Sequence, residues 1–168
     1  MCTSCIPTST NKTIALLSYA CDEGVKRNQG RVGAVTGPEA IKKQLAKMPN
    51  HLAKDTKFLD IGSVECVNAD MENAQQTLSK TITELLQNNT FPIVLGGGHD
   101  IAYGHYNGIN NYLDDTKVIG IINFDAHFDL RSNINGNNSG TPFFQIAEES
   151  KAKGTNFKYL CLGIREDA

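Results

Sequence analysis

The sequence predicts one α/β domain, a three-layer sandwich in which helices cover both faces of a mostly parallel sheet. Short apolar runs alternate with longer segments whose apolar residues recur at helical spacing, a pattern typical of parallel β-α-β units. The strand-like runs are apolar at nearly every position, so both faces of the sheet are expected to be covered. The length of 168 residues fits a single domain over 1–168.

The first third of the chain predicts one strand and one helix around a long loop. Residues 14–17 are continuously apolar and are expected to form the first buried strand. The segment 22–37 is polar and rich in glycine, which indicates a loop. Pro38 suits the first turn of a helix that is expected to end at 49–50. The apolar face of this helix is Ile41, Leu45 and Met48.

The middle third predicts two strands flanking a long helix. The runs 58–62 and 91–95 are short and apolar and are expected to be strands. Asp70 is expected to cap the helix between them, because its carboxylate can accept from the first free N–H groups. The apolar face of this helix is Ala74, Leu78, Ile82, Leu85 and Leu86.

The last third continues the alternation. Residues 100–113 predict a helix, and 118–124 is the clearest buried strand. A loop rich in asparagine, 132–139, precedes a helix that is expected to begin near Pro142. A final strand is expected at 157–163.

Composition excludes several classes of protein. Lys and Arg total 16 against 18 Asp and Glu, which argues against binding to nucleic acid. No apolar run approaches the roughly 18 residues that a membrane span needs. Residues 1–11 lack a basic segment followed by an apolar stretch, so a cytoplasmic location is expected. Cys2 and Cys5 form a C-x2-C pair without the further ligands of a zinc site, and are expected to lie in a frayed terminus.

Two short motifs follow two of the predicted strands. GGGHD occupies 96–100 after the third strand, and NFDAHFD occupies 123–129 around the end of the fourth. Ligands of open parallel sheets bind at the carboxyl ends of the strands, so the motifs are expected to lie close together if these strands are neighbours. The glycines allow a sharp turn that places His99 at the sheet edge; a histidine satisfied within its own turn is the alternative.

The second motif predicts a site for a divalent cation. In an extended segment, residues two apart point to the same side, so Asp125, His127 and Asp129 would converge. Adjacent carboxylates repel each other unless a cation lies between them. Oxygen and nitrogen ligands without thiolates favour Mn2+ over a structural Zn2+, and an aspartate can bridge two ions that share a hydroxide. The alternative is a solvated acidic loop.

The two motifs together resemble those of the arginase, agmatinase and formimidoylglutamase family, the ureohydrolases. Residues 22–34 and 37–38, with SGTPF at 139–143, are most similar to the formimidoylglutamase branch. The resemblance implies an arginase-like fold and a hydrolase of linear amidines or guanidines that uses two Mn2+ ions.

The resemblance also implies a role for each motif side chain. His99 and Asp129 would ligate one ion, His127 would ligate the other, and Asp125 would bridge them. The nucleophile would be a metal-bound hydroxide, with no catalytic side chain beyond it. In the formimidoylglutamase branch the substrate is the small molecule N-formimidoyl-L-glutamate, which is split to L-glutamate and formamide in histidine degradation.

Three residues are candidates for substrate binding. Arg131 follows Asp129 by two positions, where the family places a contact to a substrate carboxylate, and a guanidinium suits that group. Arg31, between two glycines, is a second candidate, although a loop arginine more often holds backbone carbonyls. Ser139 stands where guanidine-cleaving relatives usually carry a histidine, which favours a formimidoyl substrate.

The sequence departs from the family because its third motif, an Asp-x-Asp pair after a later strand, has no match here. The chain is therefore expected to correspond to the N-terminal part of a family member, with the C-terminal part absent and the activity of the isolated chain impaired. An unpaired strand edge would favour a homo-oligomer. The alternatives are an arginase- or agmatinase-like guanidine hydrolase and a non-catalytic metal-binding fragment.

Overall fold

The computed structural model describes residues 13–114 and 117–167. Cys2 and Cys5 lie outside these residues. Five strands and five helices lie along the described residues, one helix more than the sequence predicts. No helix in this part of the chain is both long enough and apolar enough to cross a membrane.

All strand pairing among the described residues is parallel, but it falls into two sheets. The first has the order β2-β1-β3 and comprises the strands β1 (Thr13–Ala20), β2 (Lys57–Glu65) and β3 (Thr90–Gly96). The second pairs β4 (Gly120–Phe124) with β5 (Lys158–Leu162). The parallel direction agrees with the prediction, whereas no backbone ladder in the described residues joins β3 to β4, so these strands are not paired neighbours.

The helices follow the predicted order, with one addition. They are α1 (Glu23–Arg27), α2 (Gly37–Leu45), α3 (Met71–Gln87), α4 (Ile101–Tyr112) and α5 (Pro142–Ala152). Short 3-10 turns precede α2 and α3. The additional helix α1 lies within the predicted loop 22–37. It has five residues and a single apolar side chain, Val25, so it lacks the periodic pattern that identifies a helix in sequence.

The core forms where α3 packs on β1. Leu78 and Ile82 of α3 are fully buried against a cluster that includes Leu17 and Tyr19 of β1. Asp70 caps α3 as predicted, accepting from the N–H of Asn73 at 3.0 Å. These contacts confirm the predicted helix face where it meets the sheet.

Helix α4 lies close against α3 because α4 presents Gly108 to that helix. A Cβ added to Gly108 would lie 2.6 Å from the Cβ of Ile82, a distance at which one helix would have to move. Glycine at this position therefore sets how closely the two helices pack.

Two predicted apolar faces are exposed. Ile41 and Met48 were expected to be buried, but Ile41 is exposed and α2 ends at Leu45, before Met48 is reached. Val64 is the only buried residue of β2. β2 is an edge strand of the first sheet, and nothing in the described residues covers most of its side chains or the Ile41 face of α2. The prediction that both sheet faces are covered is therefore wrong at β2.

Candidate metal centre

The turn that carries His99 is held against the end of β1. The N–H of Gly97 donates to the Tyr19 carbonyl at 3.1 Å. The N–H of Gly98 donates to the Cys21 carbonyl at 2.8 Å. A Cβ on Gly97 would lie 2.1 Å from the Cys21 oxygen, so the backbone approaches this closely only because the residue is glycine. The sharp turn predicted for the first motif is present.

Asp100 anchors the same turn from inside the core. The side chain is fully buried, and its Oδ2 accepts from the Tyr19 hydroxyl at 2.8 Å. Its backbone carbonyl accepts from the Gln75 amide at 2.8 Å. Its Oδ1 has no hydrogen-bond partner among the described residues. Burial raises the pKa of this carboxyl and outweighs the opposing effect of the Tyr19 hydrogen bond.

The second motif bends away from the end of β4. The N–H of Asp125 donates to the Leu162 carbonyl of β5 at 3.0 Å, and the N–H of His127 donates back to Asp125 Oδ1 at 3.0 Å. Asp129 adopts φ +46°, in the left-handed region that aspartate tolerates better than most residues. The extended alternation expected for this segment is therefore wrong. A local bend, closed by these hydrogen bonds, directs the side chains.

Three of the four proposed ligands converge. His99 Nδ1 lies 2.9 Å from Asp125 Oδ2 and 2.6 Å from Asp129 Oδ2. One potential ligand atom from each of the three residues lies within 4.8 Å of the other two. The cluster joins the turn after β3 to the bend after β4, although those strands belong to different sheets.

His127 stands beside this group and outside it. Its Nδ1 lies 3.5 Å from Asp125 Oδ1, and its side chain is 45% exposed. The two oxygens of Asp125 therefore face different histidines, Oδ2 towards His99 and Oδ1 towards His127.

Two opposing influences act on the His99 ring. Burial is the largest and favours the neutral form, and Phe143 of α5 packs edge-on at 5.5 Å between ring centroids. The hydrogen bond to Asp129 and the negative charges of Asp129, Asp125 and Asp100 favour the imidazolium. Together they outweigh burial, so the pKa of His99 lies above its ordinary value. The carboxylates that favour the imidazolium would equally favour a bound cation.

The donor set fits a hard or borderline divalent ion. It offers carboxylate oxygens and an imidazole nitrogen, with no thiolate among the clustered atoms, and Mn2+ accepts such ligands. His99, Asp125 and Asp129 would hold one ion. Asp125 Oδ1 and His127 offer the start of a second set.

Arg131 and Ser139 are linked through Asn28, a residue that no sequence motif marks. Arg131 Nη1 donates to Asn28 Oδ1 at 2.7 Å, and Asn28 Nδ2 donates to Ser139 Oγ at 3.1 Å. The N–H of Arg131 also donates to the Gly140 carbonyl at 3.0 Å. Asn28 ends α1, a helix without a sequence signature, so only the tertiary structure reveals the link.

Arg31 is exposed in the loop before α2. It makes no hydrogen bond or ion pair with any other described residue, and it is absent from the wall of the cavity beside the ligands. Its proposed contact with substrate stays a prediction.

Comparison with known proteins identifies the family. The model of the arginase family matches residues 12–168. The chain belongs to the arginase family. It is 50% identical over 155 residues to a formimidoylglutamase of Aeromonas salmonicida, covering 92% of this chain and 49% of the relative. It is 46% identical over 158 residues to a formimidoylglutamase of Geobacillus thermodenitrificans, covering 94% and 48%.

Solved structures agree with the fold. The structure of Trypanosoma cruzi formiminoglutamase with Mn2+2 matches with a TM-score of 0.79 at 26% identity, covering 95% of this chain and 56% of that one. The predicted arginase-like α/β fold is confirmed. The chain spans about half the length of the curated relatives that it matches.

Proposed function

We propose that this chain carries part of the active site of a Mn2+-dependent hydrolase of linear amidines, with N-formimidoyl-L-glutamate as substrate and L-glutamate and formamide as products. The observation that carries the proposal is the convergence of His99, Asp125 and Asp129 at the carboxyl ends of strands of two sheets. The names of the similar curated proteins support the choice of substrate. A cytoplasmic place in histidine degradation follows from that activity.

Each cluster residue has a distinct part in the proposal. His99, Asp125 and Asp129 would hold one Mn2+, and His127 with Asp125 would begin the site of a second. Bound Mn2+ supplies the Lewis acidity that makes a water nucleophilic at neutral pH. Asp100 and the glycine turn would position His99, because both are anchored to β1 by hydrogen bonds. Arg131, fixed by Asn28, and Ser139 would bind a substrate carboxylate.

The proposal treats the four ligands as a partial set, since the chain spans about half the length of its relatives. We therefore expect metal binding by the 168-residue chain to be measurable and its turnover to be low. Formamide release at the rate of a full-length formimidoylglutamase from this chain alone would contradict the expectation of low turnover.

Metal binding is tested by titrating Mn2+ into metal-free protein and following thermal unfolding. A ligand specific to the folded state adds about 2.7 kcal/mol of stability at 100 times its Kd, so a rise in Tm is expected. Asp129→Asn should abolish that rise. Asp55→Asn, which alters an exposed carboxylate remote from the cluster in sequence, should retain it. A Tm that does not respond to Mn2+ in the unsubstituted chain would end the metal proposal.

The reaction is tested with three substrates under the same conditions. Formamide from N-formimidoyl-L-glutamate supports the proposal. Urea from arginine or agmatine would support the guanidine hydrolase instead, an alternative that Ser139 disfavours. Mn2+ binding without any product, even in the presence of the C-terminal half of a relative, would indicate a non-catalytic metal-binding chain.

A further inference from the structure

A cavity of about 360 Å³ opens beside the proposed ligands. One wall is the segment 127–131, which carries His127, Asp129 and Arg131. Arg165 and Asp167, which follow β5, also line the cavity. Two arginines therefore line one cavity next to the metal cluster, and the sequence identified only one of them.

The position of Arg165 is set by backbone hydrogen bonds to the metal-binding segment. Its N–H donates to the Ala126 carbonyl at 3.1 Å. Between β5 and Arg165 the chain turns at Gly163, whose φ of +94° favours glycine. A change in the bend that carries the ligands would therefore also move Arg165.

Each guanidinium is held along one edge only. Arg165 Nη2 donates to Asp167 Oδ2 at 3.1 Å, and Arg165 Nε lies 2.9 Å from Asp167 Oδ1 in the same ion pair. Asn28 accepts from Arg131 Nη1 at 2.7 Å. A guanidinium has five N–H donors, so within the described part of the chain both groups retain N–H bonds for a carboxylate. Asp167 and Asn28 orient the two guanidinium groups without using all of their N–H donors.

We propose that Arg165 is a second carboxylate-binding residue of this site, so that Arg131 and Arg165 each take one carboxylate of a dicarboxylate substrate. This inference rests on the proposed function and extends it to substrate selection. N-formimidoyl-L-glutamate carries two carboxylates, arginine carries one and agmatine carries none. A cavity lined by two arginines discriminates among the three by charge, because each lost carboxylate removes one set of charge-assisted hydrogen bonds to a guanidinium.

The test measures the binding of two product-like ligands to the chain by calorimetry, with and without Mn2+. Glutarate has two carboxylates, and glutaramate replaces one of them with a neutral amide of the same size. The unsubstituted chain should prefer glutarate about tenfold, as a charge-assisted hydrogen bond commonly provides. Arg165→Gln should bring that ratio close to one.

Matched variants distinguish a direct contact from a loss of structure. Arg165→Lys keeps the charge and loses the two-pronged geometry, so it should retain part of the preference. Lys54→Gln removes an exposed cation far from the cavity in sequence and should retain all of it. If Arg165→Gln weakens glutarate and glutaramate equally, Arg165 acts through structure and the inference is overturned.

Different results would overturn the role of Arg165 and the metal-dependent reaction. Normal Mn2+ binding with no preference for glutarate overturns the role of Arg165 and leaves the metal site standing. A preference for glutarate that depends on Arg165, with no response to Mn2+, supports the dicarboxylate pocket and overturns the metal-dependent reaction.

Discussion

Strand β1 of the first sheet and the strands of the second have similar apolar sequences in different surroundings. In the first, Leu17 and Tyr19 of β1 are at most 2% exposed, because α3 packs over them. In the second, Ile122 and Phe124 of β4 are 64% and 80% exposed, and Leu160 and Leu162 on the paired strand are also exposed. Apolar sequence makes a strand in both places, but only a covering layer of helix makes a core.

The metal cluster takes its ligands from both regions. His99 belongs to the well-packed region and is anchored to β1 through Asp100 and Tyr19. Asp125 and Asp129 belong to the bend after β4, a strand of the exposed β4–β5 pair. A bound cation would therefore tie a sparsely packed region to a well-packed one, and most of the stability should lie on the side of β1 and α3.

The largest effect is expected in the α3–β1 core. Leu78→Ala removes a fully buried side chain and should lower the free energy of unfolding by about 2–5 kcal/mol. Urea denaturation with the apo protein measures the change. A loss below about 1 kcal/mol would show that this region is no better packed than the other.

A smaller effect is expected where Arg27 joins α1 to the rest of the protein. Its guanidinium donates to both oxygens of Glu72 at 2.6 and 3.1 Å and to the Asn137 carbonyl at 3.3 Å. Because the pair is partly exposed, Arg27→Ala should cost about 1 kcal/mol. It should also increase proteolysis in the loop 132–139, which contains Asn137. Unchanged cleavage of that loop would show that Arg27 does not order it.

A change in the free energy of unfolding that is confined to acidic pH is expected at His105, between the two sheets. His105 of α4 lines a cavity of about 320 Å³ that also touches Val94 and Ile121. Burial lowers the pKa of His105, so the unfolded chain binds its proton more readily. The stability that neutral His105 contributes is present above the ordinary pKa of about 6.5. It is lost as pH falls through the lower pKa of His105 in the folded state.

The comparison of unfolding free energies at pH 7.5 and 5.5 tests this assignment. The unsubstituted chain should lose more stability on acidification than His105→Gln, while the contribution of His99 is common to both. Parallel pH dependences would show that His105 is no less able to take up a proton in the fold than in the unfolded chain.

The smallest effect is expected on the exposed face of the second sheet. Phe124→Ser and Leu160→Ser should each change the free energy of unfolding by about 0.5 kcal/mol or less, since these side chains are already exposed. The same urea measurement applies. A cost that matches that of Leu78→Ala would mean that this face is covered in solution, for example by a second copy of the chain.

The elements that could be predicted are those whose pattern agrees with their packing. Ala74, Leu78 and Ile82 recur at helical spacing and are buried against β1. Ile41 and Met48 belong to an equally regular pattern, yet they are exposed because nothing described covers that face. The short helix α1 has no pattern of its own and is held through Arg27. Periodicity thus identifies a potential core face, and only a partner element determines whether it is buried.

The site shows the same division. The two motifs identify His99, Asp125 and Asp129, because ligand chemistry depends on residue type and each motif follows a strand that apolar runs predict. The sequence alone also determined the alternation of strands and helices, since apolar spacing reflects backbone geometry. Only the tertiary structure decided that a bend directs the aspartates, that Asn28 holds Arg131, and that Arg165 faces the same cavity. These are contacts between residues far apart in the chain, which depend on how the elements pack and leave no local pattern to detect.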